Sequence, residues 1–434
     1  MLDTAPEYVE NNFVTKLLKI QLCLWIFVVI GILVHGYMGR TWSAVQSFQV
    51  NDSWCNLKSE GVGSHCFGDF GLPFYRGMRN QVYEPGNFAA SNTPITALLF
   101  EILRLLSFNK ALLVYLSVLL SCIIIPFGLS KNMGSISNRL VLSIFCGALT
   151  AGSISALDRG NHVVLLIPLL YFYVLAIEDE RWNRAAGLLV CISLLKFWGI
   201  IFIVALIARR QWARSLLSAL AVPLISVVAI GLFPGSLTGN VRAMLAMVTN
   251  RDYSNSIAGY SISIAGFFRR FGCALTSTDV CNTRISGSSF FSSTHFSIAI
   301  LISLFTLVFI LMRSSNAPTH IWVAALISLG FLSVPDAPVY NMSLTAVIVS
   351  VFAAKNVVID SWKLSNYSLL CALLVSNTPL TFYSNAVSRF SSTNGDSLPI
   401  FRSDYWIMPF AWIIFMLAAV YDLFCYRFIK NDDD

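Results

Sequence analysis

The chain has 434 residues, of which 56% are hydrophobic and only 12% are charged, and its mean hydropathy is +0.70. This composition leaves little polar surface for water and excludes an ordinary soluble globular protein. The formal net charge of +7 does not indicate nucleic-acid binding, because basic residues cluster at the ends of apolar segments, as at Arg209, Arg210 and Arg214. Such clusters are typical of loops on the cytoplasmic side of a membrane.

Apolar runs of about 17–24 residues recur along the chain, the length that crosses a hydrocarbon core as a helix. The alternating pattern of a β-barrel is absent, and backbone groups in lipid must be satisfied within the segment. The sequence therefore predicts an all-α, polytopic membrane protein with roughly 10–13 transmembrane helices and long extracytoplasmic loops, forming a single membrane domain over residues 1–434. The candidate spans in chain order are 20–37, 94–106, 111–129, 140–157, 163–177, 186–208, 216–233, 296–312, 321–334, 342–354, 367–381 and 405–424.

The first span is interpreted as a retained helix with its N-terminus inside. The segment before it is polar and acidic, and the apolar run is too long for a signal peptide. Residues 39–91 then form the first outer loop, which is long for a membrane connection and for that reason is expected to carry function. Residues 234–295 form a second large outer segment.

One candidate span contains a lysine near its middle. The charge-rich segments 178–184 and 209–214 both have the character of cytoplasmic loops, yet a single apolar stretch with Lys196 separates them. Either one helix buries the lysine, or two half-helices meet at Lys196 on the outer side, where broken helices line a polar cavity. The second interpretation keeps both basic ends inside and is favoured. The stretch 140–157, which leads into Asp158-Arg159-Gly160-Asn161, is expected to be irregular for the same reason.

Four of the ten cysteines lie as close pairs in the two outer segments, Cys55 with Cys66 and Cys273 with Cys281. Their confinement to these segments predicts two local disulfides in an oxidising compartment. A zinc site is the weaker alternative, because neither pair has the spacing of a zinc knuckle.

The first outer loop and the region after it carry short motifs that resemble glycosyltransferase family 87. The motifs are Asp69-Phe70, Tyr75, Arg76-Gly77-Met78, Tyr83 and Asn92-Thr93-Pro94, then Gly160-Asn161, Ala186-Gly187 with Lys196, Arg209-Arg210-Gln211-Trp212, Asn255-Ser256 with Gly259, and Arg269-Arg270. The chain departs from the family at Ser333-Val334-Pro335-Asp336, where members often have Ser-Pro and a downstream histidine.

The resemblance implies a GT-C type membrane enzyme, a mannosyltransferase or another hexosyl- or pentosyltransferase of the cell envelope. It would use a polyprenyl-phosphate-linked sugar donor and a glycolipid or polysaccharide acceptor on the extracytoplasmic side of a bacterial inner membrane, the plasma membrane. Membrane lipids are expected partners, and neither a cofactor nor nucleic acid is expected. The likeness also implies that Asp69 is the catalytic base.

The chemistry of such a donor agrees with these residues. The donor carries its own leaving group, so the enzyme needs a base for the acceptor hydroxyl and cations for the phosphate. Asp69 is the natural base, although a solvated carboxylate or a helix N-cap is the plainer interpretation. Phosphate-binding candidates are Lys196, Arg159, Arg269 and Arg270, with Asn161 beside them. For Arg159, an ion pair with the adjacent Asp158 is the alternative.

Other polar and aromatic side chains are weaker candidates for the site. Tyr75 and Arg76 are candidates for binding the acceptor or its lipid anchor. An aromatic cluster around Asp69, formed by Trp54, Phe70, Phe74 and Tyr75, is able to stack on a sugar ring, although aromatic residues at span ends usually form interfacial belts. His162 and His320 lie near span edges and are interpreted as satisfied polar residues.

Two further function classes remain open. The first outer loop has no Asp-x-Asp motif, which favours a metal-independent enzyme. The sequence also lacks a glycine-rich phosphate-binding loop, which argues against a nucleotide-sugar donor. A many-span protein with intramembrane charges is also compatible with a transporter or flippase. An O-antigen-type polymerase or ligase for lipid-linked glycans is the third candidate. The long outer loops and the absence of an internal repeat favour the transferase.

Overall fold

The computed structural model describes residues 13–37, 67, 69–71, 74, 93–130, 132, 135–250, 263–268, 294–314, 317–333, 339–355, 357, 364–378 and 403–431. Every regular element within these residues is a helix, which confirms the all-α class. The α-helices are α1 (Phe13–Tyr37), α2 (Pro94–Leu103), α3 (Phe108–Gly128), α4 (Ile136–Ser143), α5 (Ala151–Arg159), α6 (Leu166–Glu178), α7 (Trp182–Leu195), α8 (Ile203–Ala208), α9 (Trp212–Gly231), α10 (Leu237–Asn250), α11 (Thr294–Arg313), α12 (Thr319–Leu332), α13 (Thr345–Lys355), α14 (Leu364–Asn377) and α15 (Ser403–Asn431).

The helix lengths and compositions confirm a multi-pass membrane protein. In the described part of the chain, α1, α3, α9, α11 and α15 each contain an apolar stretch long enough to cross a membrane. Helices α4 and α5 form a pair bent by 74°, which confirms the irregularity expected between residues 140 and 157. The other apolar helices are shorter, so the total of 10–13 spans stays a prediction.

The chain divides into two compact units that are each discontinuous in sequence. One unit comprises Met1–Ser47, Ile124–Ile154 and Tyr253–Asp434, and the other comprises Phe48–Ile123 and Ser155–Asp252. We call them the peripheral-sequence unit and the central-sequence unit. The single membrane domain over residues 1–434 stays a prediction.

The core of the peripheral-sequence unit is formed by α12 and α13, whose side chains are almost all buried. Two side-chain pairs join its helices: the ring Nε2 of His320 lies 2.7 Å from Asn366 Oδ1, and the indole N–H of Trp412 donates to Ser376 at 2.8 Å. Such pairing is what burial away from water requires. The prediction that His320 is a satisfied polar residue is therefore confirmed.

In the central-sequence unit, the chain breaks and turns back at Lys196. This residue has an extended backbone (φ −141°, ψ 115°) between α7 and the 3₁₀-helix Phe197–Phe202. A Cβ on Gly199 would lie only 2.7 Å from the Ile192 Cγ2 and 3.1 Å from the Ile192 carbonyl carbon. Such close approach requires glycine, and α8, which follows, contacts α7. Residues 182–208 therefore form a hairpin, which we call the lysine hairpin, with Lys196 at its tip.

The two ends of the lysine hairpin lie side by side. The guanidinium Nε of Arg214 donates to Asn183 Oδ1 at 2.8 Å, and the Ser218 hydroxyl lies 3.3 Å from the Ala186 carbonyl oxygen. The beginning of α9 is thus next to the beginning of α7, at the end of the hairpin opposite Lys196. The preferred interpretation, two half-helices that meet at Lys196 and share one charged end, is confirmed, while the side of the membrane stays a prediction.

Helix α10 lies in the segment 234–295, which the sequence marked only as an outer segment. Apolar residues spaced three to four apart place Val241 and Met244 against buried Phe233 and Ile230. The Ser236 hydroxyl accepts the N–H of Gly239 at 3.1 Å, as expected near a helix start. The low overall hydropathy of this helix concealed a helical periodicity.

Candidate functional site

Asp69 lies in a short helical turn, residues 69–71. The turn closely follows Phe67, a residue with a left-handed backbone. Phe67 has φ +62°, and its carbonyl oxygen accepts the N–H groups of Phe70 at 3.0 Å and Gly71 at 2.7 Å. A non-glycine residue in this region is uncommon, and such conformations are often found at functional sites. The turn points Asp69 and Phe70 in different directions.

The ring of Phe70 anchors this turn in an aromatic cluster. Phe70 is completely buried, and its ring centroid lies 5.0 Å from that of Tyr115, 5.6 Å from Phe108, 5.8 Å from Phe100 and 5.5 Å from Phe74. Phe74 is also buried. Both rings are enclosed by other aromatic side chains, so the hypothesis that Phe70 and Phe74 stack on a sugar is wrong. Their contribution is to fix the position of Asp69.

The C-terminus of α5 brings a second segment to the same turn. Gly160 has φ +64°, its N–H donates to the Leu157 carbonyl at 3.0 Å, and the Asn161 N–H donates to the Ala156 carbonyl at 2.8 Å, which is a Schellman motif. A Cβ on Gly160 would lie 2.9 Å from the Phe70 Cβ. Glycine is needed here both for the backbone conformation and for the approach to Phe70.

The Asp69 carboxylate is held by residues on both sides of Gly160. Arg159 donates from Nε to Oδ2 and from Nη2 to Oδ1, each at 2.8 Å, and the Asn161 amide donates to Oδ2 at 2.6 Å. The Asn161 Oδ1 accepts the Val163 N–H at 2.9 Å, so the amide is itself oriented. Because both donors hold Asp69, the solvated-carboxylate interpretation does not apply. The N-cap interpretation concerned a helix from residue 72, which lies outside the described residues.

The electrostatics of this arrangement keep Asp69 ionised. Burial raises the pKa of the Asp69 carboxyl, but the hydrogen bonds and charge of Arg159, the Asn161 amide and the charge of Lys196 together hold that pKa below its usual value of 3.8. The carboxylate keeps 22% of its side-chain surface exposed. In the described residues Oδ2 accepts two hydrogen bonds and Oδ1 only one, so Oδ1 has capacity for a further donor.

The tip of the lysine hairpin is fixed by two threonines at the start of α2. The Thr93 hydroxyl donates to the Leu194 carbonyl oxygen, and the Thr96 hydroxyl donates to the Leu195 carbonyl oxygen at 3.1 Å. Lys196 follows directly and is partly exposed, with its charge close enough to influence both Asp69 and His162. The structure thus brings together Asp69, Arg159, Asn161 and Lys196 from segments far apart in sequence.

Two buried polar groups near these residues have no hydrogen-bond partner within the described part of the chain. They are the His162 imidazole, which is 3% exposed, and the Tyr115 hydroxyl, whose side chain is 6% exposed. The interpretation of His162 as a satisfied polar residue is therefore wrong. Buried polar groups are nearly always paired in proteins, so an unpaired one requires an explanation. Sequence patterns identify the residue type but not whether a partner exists.

Several predicted site residues lie outside the described residues. They are Trp54, Tyr75, Arg76, Arg269, Arg270 and the four cysteines Cys55, Cys66, Cys273 and Cys281. Their roles and the two disulfides stay predictions. Among the residues that the structure describes, no three His, Cys, Asp or Glu side chains form a group able to hold a metal ion. Metal independence likewise stays a prediction.

The chain was compared with protein families, curated proteins and solved structures. The model of glycosyltransferase family 87 matches residues 91–335, more than half of the chain. The matched region contains Arg159, Asn161 and Lys196, whereas Asp69 precedes it. The chain has no match among curated proteins or solved structures.

Proposed function

Because the chain belongs to glycosyltransferase family 87, we propose that it transfers a sugar from a polyprenyl-phosphate-linked donor to a glycolipid or polysaccharide acceptor on the extracytoplasmic side of a bacterial inner membrane. The observation that carries this proposal is the ionised, partly exposed Asp69 carboxylate held by Arg159 and Asn161, with Lys196 as its neighbour. A fixed carboxylate beside a cation matches the needs of sugar transfer from a lipid phosphate.

In this reaction Asp69 is the general base. The acceptor hydroxyl oxygen attacks the anomeric carbon of the donor sugar, the bond from that carbon to the phosphate oxygen breaks, and the phosphate leaves with the electron pair. The hydroxyl proton passes to Asp69 Oδ1, the carboxylate oxygen with remaining hydrogen-bonding capacity. The attacking hydroxyl becomes strongly acidic as the new bond forms, so a carboxylate with a low pKa accepts its proton late in the reaction.

Lys196 binds the donor phosphate in this proposal. An ammonium at the tip of a hairpin within a membrane protein is costly unless it faces protein, water or an anion. A phosphate gains negative charge as the sugar departs, so a nearby cation stabilises the transition state more than the ground state. Arg159 faces Asp69, and its role is to orient the base, while direct phosphate binding by Arg159 stays a hypothesis.

Tyr115 and His162 adjoin the proposed site, and each has a buried polar group without a partner among the described residues. Burial of such a group costs about 1–3 kcal/mol. Because both side chains are nearly as buried as Phe70, neither is assigned a contact with the sugar.

The test is transfer by the purified protein with a panel of polyprenyl-phosphate sugars and membrane lipids. The lipid that loses its sugar identifies the donor, and the lipid that gains it identifies the acceptor. Product formed only from a lipid-linked oligosaccharide would instead indicate a polymerase or ligase. Movement of lipid-linked glycan without a new glycosidic bond would indicate a flippase.

The Asp69→Asn variant tests the base. Asn cannot accept the proton, so turnover at saturating donor is expected to fall by about 10²–10⁴-fold. Because Asn also places an amide against the Arg159 and Asn161 donors, donor binding and thermal unfolding are measured in parallel. Glu101→Gln is the matched control, since Glu101 also forms an ion pair, 2.6 Å from Arg104, at comparable exposure. Turnover near that of the unmodified enzyme, with Asp69→Asn folded, would remove Asp69 from this role.

A further inference from the structure

The lysine hairpin leaves backbone carbonyl groups without helical partners just before its tip. In a continuous helix, the Leu194 and Leu195 carbonyls would accept the N–H groups of residues 198 and 199. Here the Gly199 N–H donates instead to the Lys196 carbonyl at 2.8 Å, because the chain has turned back. Irregular backbone within a membrane protein is tolerated only where other groups satisfy it.

Two hydroxyl groups of α2 supply the missing donors. Thr93 donates to the Leu194 oxygen and Thr96 donates to the Leu195 oxygen at 3.1 Å, and both side chains are buried. Thr93 is also the N-cap of α2, since its hydroxyl oxygen accepts the Thr96 N–H at 3.2 Å. We call Thr93 and Thr96 the threonine clamp.

The helix that carries the threonine clamp also supports Asp69. Phe100, one turn beyond Thr96, packs against Phe70, which adjoins Asp69. One end of α2 therefore holds the backbone beside Lys196, while its next turn holds the turn that carries Asp69. A single rigid helix thus sets the separation between the carboxylate and the ammonium.

From this arrangement we propose that Thr93 and Thr96 are positioning residues for Lys196, which keep its ammonium at the donor phosphate while the same helix holds Asp69 at the acceptor. The inference rests on the proposed function, because it assigns the phosphate to Lys196. It adds that α2 is the element that aligns the base with the phosphate ligand. Neither threonine contacts the reacting atoms.

The clean test is Thr96→Val, which keeps the shape of the side chain and removes the hydroxyl donor. We expect the apparent KM for a polyprenyl-phosphate sugar to rise about 3- to 10-fold, the value of one hydrogen bond, with a smaller change in the acceptor KM. Thr96→Ser keeps the donor and is expected to restore the unmodified KM. Ser218→Ala is the matched control, because it removes a hydroxyl near an α7 carbonyl at the opposite end of the hairpin.

A double-mutant cycle separates positioning from general stability. In a Lys196→Met background, Thr96→Val should raise the donor KM no further, since the positioned group is already absent. Additive effects of the two substitutions, or an unchanged KM in Thr96→Val alone, would overturn the inference. Thermal unfolding of each variant accompanies the kinetics.

A second readout needs no transferase activity, and it distinguishes failure of this inference from failure of the proposed function. Lys196→Cys is labelled with a charged thiol reagent in chains that also carry Thr96→Val, Thr96→Ser or Ser218→Ala. We expect the labelling rate to change several-fold only with Thr96→Val. Equal rates in all three would show that the threonine clamp does not position the tip, whereas a changed rate without sugar transfer would refute only the proposed donor and its phosphate contact.

Discussion

At the scale of single residues, the Asp69–Arg159 pair determines the properties of the site. Two parallel hydrogen bonds from a guanidinium fix both the direction and the ionisation of the carboxylate, which a lysine in place of Arg159 would not reproduce. From the sequence, an ion pair with the adjacent Asp158 was the alternative to ligand binding by Arg159. The structure shows a partner from a loop far upstream, the Asp69 carboxylate, because Gly160 lets the two segments approach each other.

The pH dependence of the reaction tests this pair. Arg159→Met removes the strongest influence that lowers the pKa of Asp69, whereas burial, which raises that pKa, remains. We therefore expect the acidic limb of the kcat/KM profile to move to higher pH. Arg104→Met, which breaks the Glu101 pair, serves as the control and should leave the limb in place.

The same substitution affects stability with a defined sign. The folded-state pKa of Asp69 lies below its usual value of 3.8, so its contribution to folding is complete above that value and is lost as the pH falls through the lower folded-state pKa. Arg159→Met should therefore reduce the unfolding temperature at neutral pH, and the difference should diminish in strong acid. An unshifted acidic limb in a folded variant would contradict Arg159 as the residue that sets this pKa.

At the scale of elements, the end of α5 is the most constrained part of the site. Gly160→Ala would place a methyl group 2.9 Å from the Phe70 Cβ and force a left-handed backbone on alanine. The left-handed backbone alone should lower the free energy of unfolding by about 1–2 kcal/mol. The displacement of Arg159 and Asn161 should also lower turnover. Thermal unfolding and transfer assays measure the two effects.

Gly187→Ala in α7 is the control for this substitution. No atom lies within 4 Å of a Cβ at Gly187, and alanine is favoured over glycine inside a helix. We expect Gly187→Ala to leave stability unchanged or raised, with normal turnover. If Gly160→Ala behaves in the same way, the close packing of α5 on the Asp69 turn is not required for the site.

At the scale of the whole molecule, the lysine hairpin sets the topology of the central-sequence unit. Its charged ends lie together through Arg214 and Asn183, so they are expected on the cytoplasmic side with Lys196 directed outward. An impermeant thiol reagent applied from outside should label Lys196→Cys but not Arg181→Cys or Ala213→Cys. The unmodified chain provides the blank for native cysteines. Labelling of all three from one side would contradict the hairpin.

The sequence by itself determined the membrane class and the helical character, and it favoured a chain break at Lys196 over one continuous helix. These follow from the length of apolar runs and from the cost of a lysine in lipid, both of which are properties of contiguous residues. Asp69 was likewise found as a candidate base from its loop and its neighbours, and the family resemblance pointed to glycosyltransferase family 87, which the match over residues 91–335 confirms.

Only the tertiary structure decided which polar groups meet. The pairing of Asp69 with Arg159 and Asn161, the hydroxyl contacts of Thr93 and Thr96, and the unpaired His162 each depend on packing between segments distant in sequence. Phe70 and Phe74 illustrate the same limit, because the sequence pattern of an aromatic residue is the same whether its ring faces a sugar or other rings. Local patterns specify burial and helix formation, whereas the partner of a buried polar group is chosen by the three-dimensional fit of whole elements.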